Sequence, residues 1–280
     1  MKENIKALRE MTGCGILDCR KALEQTDGSL DEAALWLRKN GMAKAAKKMD
    51  RDSCEGVIAV VTDGPWGAVA KVASETDFVA RNEKFQAFVA SLLKLIKEKR
   101  PMNLDDLLAL TTDNGETVSD SVAQMTAVIG ESIKLADFKT LSVPSGLVAS
   151  YIHNAYTPSM GRIGVLVALS SDTDPNTLQE LGKHLSMHVA ASKPRALTRE
   201  GIDQDYVAKE RAVYREEAEK SGKPEAAMDK IVDGRLKKLF SEIVFLEQPF
   251  IMDNKKTVET HVKEYKPDVM IHDYTLFMIG

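Results

Sequence analysis

Along the first 41 residues, apolar positions recur at helical spacing and then give out at glycines, which predicts three short helices. Ile5, Leu8 and then Met11 or Thr12 form the apolar side of the first, and Gly13 and Gly15 interrupt it. A second runs from about Ile16 to Gln25, with Leu17, Ala22 and Leu23 on related faces and Asp27-Gly28 at its end. Ser29 stands three residues before Glu32, which is capping-box spacing, so Ser29 is the expected N-cap of the third. Leu30, Ala33, Ala34 and Leu37 point that helix inward, and Gly41 suits the left-handed position just past its end. A module this small buries little area and is marginally stable by itself.

Residues 42–54 read as a charged connector carrying Lys44, Lys47, Lys48 and Arg51, in which the alanines favour helix. Asp50 and Asp52 interrupt the basic run and no aromatic interleaves for base stacking, so a solvated linker is expected rather than an RNA-binding patch. From Gly56 the apolar period changes to two. Val57 to Val61 and Ala68 to Ala73 read as an antiparallel hairpin around Asp63-Gly64, its turn lengthened by Pro65 and Trp66. Helical spacing resumes near Asn82 with Phe85, Phe88, Val89, Leu92 and Ile96, and Pro101 stops it. Leu104 to Leu110 and Val118 to Ile129 are expected helices, the second closed by Gly130.

The unit then repeats. Gly146 to Tyr151 and Gly164 to Ser170 form a second hairpin across a longer loop, and a helix from Leu178 to Ala191 follows. Placing Gly67 on Gly164 aligns Ala-Ser-Glu-Thr-Asp at 73–77 with Ser-Ser-Asp-Thr-Asp at 170–174. A hairpin with a packed helix, used twice, indicates an α+β fold of two related core subdomains with antiparallel sheets, 55–140 and 141–200 with 246–280. Between them, 201–245 reads as an inserted helical hairpin: Asp203 to Lys220, a turn at Ser221 to Pro224, then Glu225 to about Phe245. A short helix from Thr257 to Tyr265 and a strand from Val269 to Ile279 complete the pattern.

The two copies differ at one place. Asp77 and Phe78 stand side by side where the first strand gives way to helix, whereas Pro175 occupies the position of Phe78 in the second copy. Such junctions carry function more often than element interiors do. Two readings are open from the residues alone. Asp77 could cap the following helix while Phe78 packs beneath it, or the pair could face outward. His153, after the Gly146 strand, reads as a solvated loop residue.

Charge and candidate chemistry narrow the function by exclusion. A net charge of −4 lacks the overall basic footprint of a nucleic-acid binder. The longest apolar stretch, around Ile163 to Leu169, is too short to span a bilayer, and the charges between Lys2 and Glu10 do not suit a secretory signal. Three cysteines, Cys14, Cys19 and Cys54, without metal spacing point to a reducing cytosol. Gly13-Cys14-Gly15 follows a helix and is no dinucleotide fingerprint, and neither a phosphate loop nor a G-x-S-x-G elbow occurs. His184 and His188 lie four apart, but H-L-S-M-H lacks the glutamate of a zinc protease, so both are expected as ordinary helix-surface histidines. Cys14 and Cys19 read as partly buried thiols. The absence of an assembled catalytic site favours a binding or switching protein without a cofactor.

Four stretches also resemble one family. Met11-Thr12-Gly13-Cys14-Gly15-Ile16-Leu17-Asp18-Cys19-Arg20-Lys21-Ala22-Leu23-Glu24 is similar to the N-terminal motif of bacterial elongation factor Ts, and Thr76-Asp77-Phe78-Val79-Ala80-Arg81 to its second. Met187-His188-Val189-Ala190-Ala191-Ser192-Lys193-Pro194, and Gly234 to Lys238 through Glu247-Gln248-Pro249-Phe250, match in the same order. The resemblance implies a cytoplasmic guanine-nucleotide exchange factor for elongation factor Tu, not an enzyme. It implies a ubiquitin-associated-like module at 1–41 and a dimerising helical hairpin, hence a homodimer or a 2:2 complex, with no membrane and no direct nucleic acid. In the family an Asp-Phe pair enters the GTPase near its magnesium site. Here that pair is Asp77 and Phe78, within Thr76 to Val79, with further partner contacts implied for Ile16, Leu17, Ile129, Gly130 and His153. Ile16-Leu17 replaces the paired methionines common in the family, the loop after His153 is longer than in its shorter members, and some members continue beyond the position of Gly280. Two rival readings are an RNA-associated scaffold using the lysines from Lys39 to Lys48, and a ubiquitin-type module fused to an unrelated core.

Overall fold

A computed structural model describes residues 1–46, 51–172, 174–220 and 224–280. Its first three helices, α1 (Lys2–Thr12), α2 (Ile16–Gln25) and α3 (Leu30–Ala46), close around Leu8, Cys19, Ala22, Leu23, Ala33 and Leu37. Gly13 takes the left-handed conformation that ends α1, with its N–H on the Arg9 carbonyl. Two expectations fail here. Leu17 stays outside the small core, at 79% exposure. Gly41 is not a C-terminal cap, because α3 continues through the alanine-rich stretch to Ala46, and so the expected connector begins as helix. Gly41 is also the point where α3 crosses its neighbour: a methyl there would lie 2.8 Å from the Cβ of Ala127. Lys47, Lys48 and Asp50 lie outside the described residues.

The core is built on strands buried on both faces. In β1 (Glu55–Asp63), Val57 and Ala59 face one apolar cluster while Ile58 and Val60 face another, which explains the near-continuous run of apolar residues. β1 pairs antiparallel with β2 (Trp66–Ser74) from Glu55↔Ser74 to Asp63↔Trp66, so the turn is the two residues Gly64-Pro65 and not a longer one. Then come α4 (Asp77–Ala80), α5 (Glu83–Lys99), α6 (Leu104–Ala109), α7 (Val118–Ile129) and β3 (Ile133–Ser142), which adds to β2. Sequence alternation misses β3. The β2–β3 register shifts between Lys71 and Val72, so the positions facing the α5 core run Ile133, Leu135 and then Phe138 rather than every second residue, while Leu141 is buried in the cluster on the other face.

The second hairpin joins β4 (Gly146–Thr157) to β5 (Met160–Ser170). The expected long loop is itself strand and turns at Pro158-Ser159, so His153 lies on β4 and not in a loop. α8 (Pro175–Ser192) covers this hairpin as α5 covers the first. The helices α9 (Gln204–Lys220) and α10 (Glu225–Ile243) pack on each other and on Ala196, Ile202 and Val244. A small ribbon of β6 (Pro249–Phe250) and β7 (Asp253–Thr257), α11 (Val258–Tyr265) and β8 (Met270–Met278), which pairs with β5, end the fold.

The two halves share one antiparallel sheet, ordered β3-β2-β1-β5-β4 with β8 on β5. Their strands pair at Ile58↔Gly161 and Ala59↔Met160. Beyond that crossing the sheet folds over itself, and Ile58, Val60 and Val69 meet Val148, Leu166 and Ala168. Gly164 permits this approach, since a methyl there would lie 2.4 Å from Cγ2 of Ile58.

Candidate protein-binding surface

The turn after β2 separates structural from exposed residues within four positions. Val79 and Ala80 are buried in the core under α5, whereas Phe78 is 78% exposed and Asp77 is exposed beside it. The cap of α5 is Asn82, whose Oδ1 accepts the N–H groups of Lys84 at 2.9 Å and Phe85 at 3.3 Å. Asp77 therefore does not cap α5, and Phe78 is not core. Phe85 fills that place with no exposed surface. An aromatic left in water forgoes roughly 1.5–3 kcal/mol of burial free energy, so Phe78 contributes little to the fold from this position.

Other expected residues gather nearby. Ile129 packs at the edge of the same core, and Gly130 ends α7 in the left-handed conformation, exposed. The next residue, Glu131, accepts the Thr76 N–H at 3.0 Å and the Thr76 hydroxyl at 3.0 Å. Glu75 answers from the other side, with Oε1 accepting the Ser132 N–H at 2.6 Å. Thr76–Val79 and Ile129–Gly130 are thus two adjoining turns tied together by carboxylates. Neither glutamate is singled out by the sequence, because no periodicity or motif marks a carboxylate that bonds a backbone more than fifty residues away.

The N-terminal module is docked on the same helices. Lys84 in the first turn of α5 donates to the Gly13 carbonyl at 3.2 Å, and Val128 of α7 lies against Gly13. Arg38 of α3 pairs with Glu116 at 3.3 Å, and Ser121 donates to the same carboxylate at 2.8 Å, as Gln124 also does. Ile16 and Leu17 follow Gly13 closely in the chain and are 55% and 79% exposed. His153 stands apart, on the exposed edge strand β4, with its Nδ1 3.2 Å from the Tyr151 hydroxyl. Its strand reaches the first turn through Tyr156, whose ring carries the Arg81 guanidinium at 5.4 Å.

The remaining candidate chemistry is structural. His188 is fully buried, contrary to a helix-surface position, because it shares the inward face of α8 with Leu181 and Leu185. Its Nε2 lies 2.9 Å from Gln248 Oε1, its Nδ1 accepts the Ile251 N–H at 3.2 Å, and Phe245 stacks on the ring. Burial pushes its pKa down, with the Gln248 contact acting against that. Cys19 is buried, and burial pushes its thiol pKa up, which makes it a poor nucleophile. Among the described residues, no three His, Cys, Asp or Glu side chains are placed to hold a metal, and no helix is long and apolar enough to cross a membrane.

Comparison with known proteins bears on this surface. A family model described as elongation factor TS matches residues 75–280. Elongation factor Ts of Ehrlichia canis is 41% identical over 280 residues, covering 99% of this chain and 97% of that protein. The Maricaulis maris protein of the same name is 45% identical over 258 residues, covering 91% and 82%. That of Rhodospirillum rubrum is 42% identical, covering 99% and 91%.

Proposed function

Because this chain belongs to the elongation factor Ts family, we propose that it is a cytoplasmic guanine-nucleotide exchange factor for elongation factor Tu in translation. The observation that carries the reading is Phe78, a large aromatic held 78% exposed on a turn whose next two residues are buried. A rigid, solvent-facing aromatic has the properties of a binding hot spot.

In this reading Asp77 and Phe78, flanked by Thr76 and Val79, enter the GTPase beside its Mg²⁺ and phosphate site. The phenyl ring wedges apart the elements that hold the ion's waters, and the carboxylate disturbs the ion's surroundings. Bound GDP depends on that ion and on backbone amides around the phosphates, so loosening them speeds release. Ile16 and Leu17 supply an apolar contact from the N-terminal module, and Ile129, Gly130 and His153 add further contacts. No bond is made or broken. The effect is a coupling between two binding events and is reciprocal: whatever weakens GDP on the partner is matched by GDP weakening this protein on the partner. New nucleotide therefore releases the factor. The helical hairpin α9–α10 serves self-association, as a homodimer or within a 2:2 complex, with neither membrane nor nucleic acid as a direct partner.

The test is stopped-flow release of fluorescent GDP from elongation factor Tu, with and without this protein. Acceleration that saturates with its concentration is the expected result. An unchanged rate with folded protein and the cognate GTPase would reject the reading.

A further inference from the structure

We propose that Glu131, with Glu75 as its counterpart, is a positioning residue that pre-orients the Asp77–Phe78 turn, an inference that rests on the exchange reading above. The helix bearing this pair, Asp77–Ala80, is a single turn of four residues, and its N-cap Thr76 makes no side-chain capping bond. Val79 and Ala80 anchor the far end of the turn in the core, but a single helical turn does not by itself fix its near end, Thr76 to Phe78. Something outside it has to.

The geometry supplies that support. Strands β2 and β3 pair as far as Ser74↔Ile133. Past that pair two side chains continue the ladder in place of the backbone. Glu131 accepts from both the backbone and the hydroxyl of Thr76, all at 3.0 Å, and Glu75 accepts from Ser132 N–H at 2.6 Å. Hydrogen bonds to ionised acceptors are stronger than neutral ones, and this reciprocal pair fixes both rotation and translation of the turn. Arg51, just before β1, lies 3.4 Å from Glu75 and holds that carboxylate from the solvent side. An exposed ring on a fixed turn enters a partner without ordering itself first, which is the advantage of preorganisation. Glu131 does not need to touch the partner to act.

The experiment compares Glu131→Ala, Glu131→Gln and Phe78→Ala in stopped-flow release of fluorescent GDP from elongation factor Tu, over a range of factor concentration. Hydrogen exchange at the Thr76 amide and a thermal melt accompany each variant. Glu131→Ala is expected to lower the saturating rate roughly tenfold, with the half-saturating concentration moving less than about threefold. Its Thr76 amide should exchange faster while the melt stays cooperative. Glu131→Gln, which keeps an oxygen acceptor without the charge, should fall between it and the parent, and it carries the test if the alanine variant does not fold. A purely structural role would instead reduce the folded fraction and leave the saturating rate per folded molecule unchanged, which would overturn the proposal. So would parent-like exchange in both Glu131 variants alongside slow exchange in Phe78→Ala. Parent-like exchange in Phe78→Ala would remove the wedge role of that ring, and the clamp with it, while leaving the protein an exchange factor; no acceleration by the parent itself would remove the exchange reading.

Discussion

The chain makes a strand-to-helix junction twice, and the two copies are finished differently. In the second, β5 ends at Ser170 and α8 begins at Pro175. Asp174 caps that helix by accepting the Asn176 N–H at 3.1 Å, and Pro175 occupies its first turn. Each of these residues has a task in ending a strand or starting a helix. In the first copy an extra turn, α4, intervenes and Asn82 takes over capping. Asp77, which aligns with Asp174, is thereby released from structural duty, and Phe78 replaces the proline. Two copies of one plan thus show what the fold requires of a junction. What the first copy has in addition is the exposed pair and its carboxylate clamp.

The largest expected effect separates two phenylalanines seven residues apart. Phe85→Ala removes a fully buried ring and should destabilise the fold by about 3–5 kcal/mol in chemical denaturation. Phe78→Ala should change stability by less than about 0.5 kcal/mol. Equal losses in the two variants would mean that Phe78 is core after all. Next in size, Asp77→Ala with Phe78→Ala should slow saturating GDP release from elongation factor Tu by roughly 10- to 100-fold with the fold intact. Mutating the aligned Asp174 and Pro175 to alanine should leave that rate alone.

A smaller difference is acid sensitivity. His188 in the second half is held neutral by burial, so its pKa lies below the ordinary histidine value. The unfolded chain then binds more protons as the pH drops past about 6.5. Stability is therefore full above that pH and declines as pH falls toward the folded-state value, by at most about 1.4 kcal/mol per pH unit from this group. His261, also lowered chiefly by burial, acts in the same direction. Denaturant midpoints between pH 7.5 and 5.5 would show the slope, which should flatten in His188→Gln. The smallest effect is at the caps. Asp174→Ala should lower stability by about 1 kcal/mol, whereas Asp77→Ala should lower it by a few tenths at most.

Much of this architecture is legible in the residues because local rules and the fold agree. Helical spacing from Phe85 to Ile96 is legible because α5 buries one regular face, and β1 is legible as an unbroken apolar run from Val57 to Val60 because it is buried on both faces rather than alternating. The rest was hidden for identifiable reasons. Strand β3 carries a register shift that breaks its alternation, and the β4–β5 hairpin continues past the residues that alternate clearly. Gly41 looked like a helix end, but glycine here makes room for Ala127. His188 looked like a surface residue, since nothing in H-L-S-M-H announces that Gln248 and the Ile251 N–H will satisfy both ring nitrogens. At the candidate surface, the Asp77-Phe78 pair stood out by its position. Its exposure, and the support from Glu75 and Glu131, depend on contacts distant in sequence that no local pattern encodes.

The most direct test asks which junction meets the partner. Deuterium uptake of this protein, free and bound to nucleotide-free elongation factor Tu, would be compared at residues 76–79 and 174–177. The account predicts that uptake falls at 76–79 and at 129–130 on binding and stays unchanged at 174–177. Protection at the second junction, with none at the first, would contradict it.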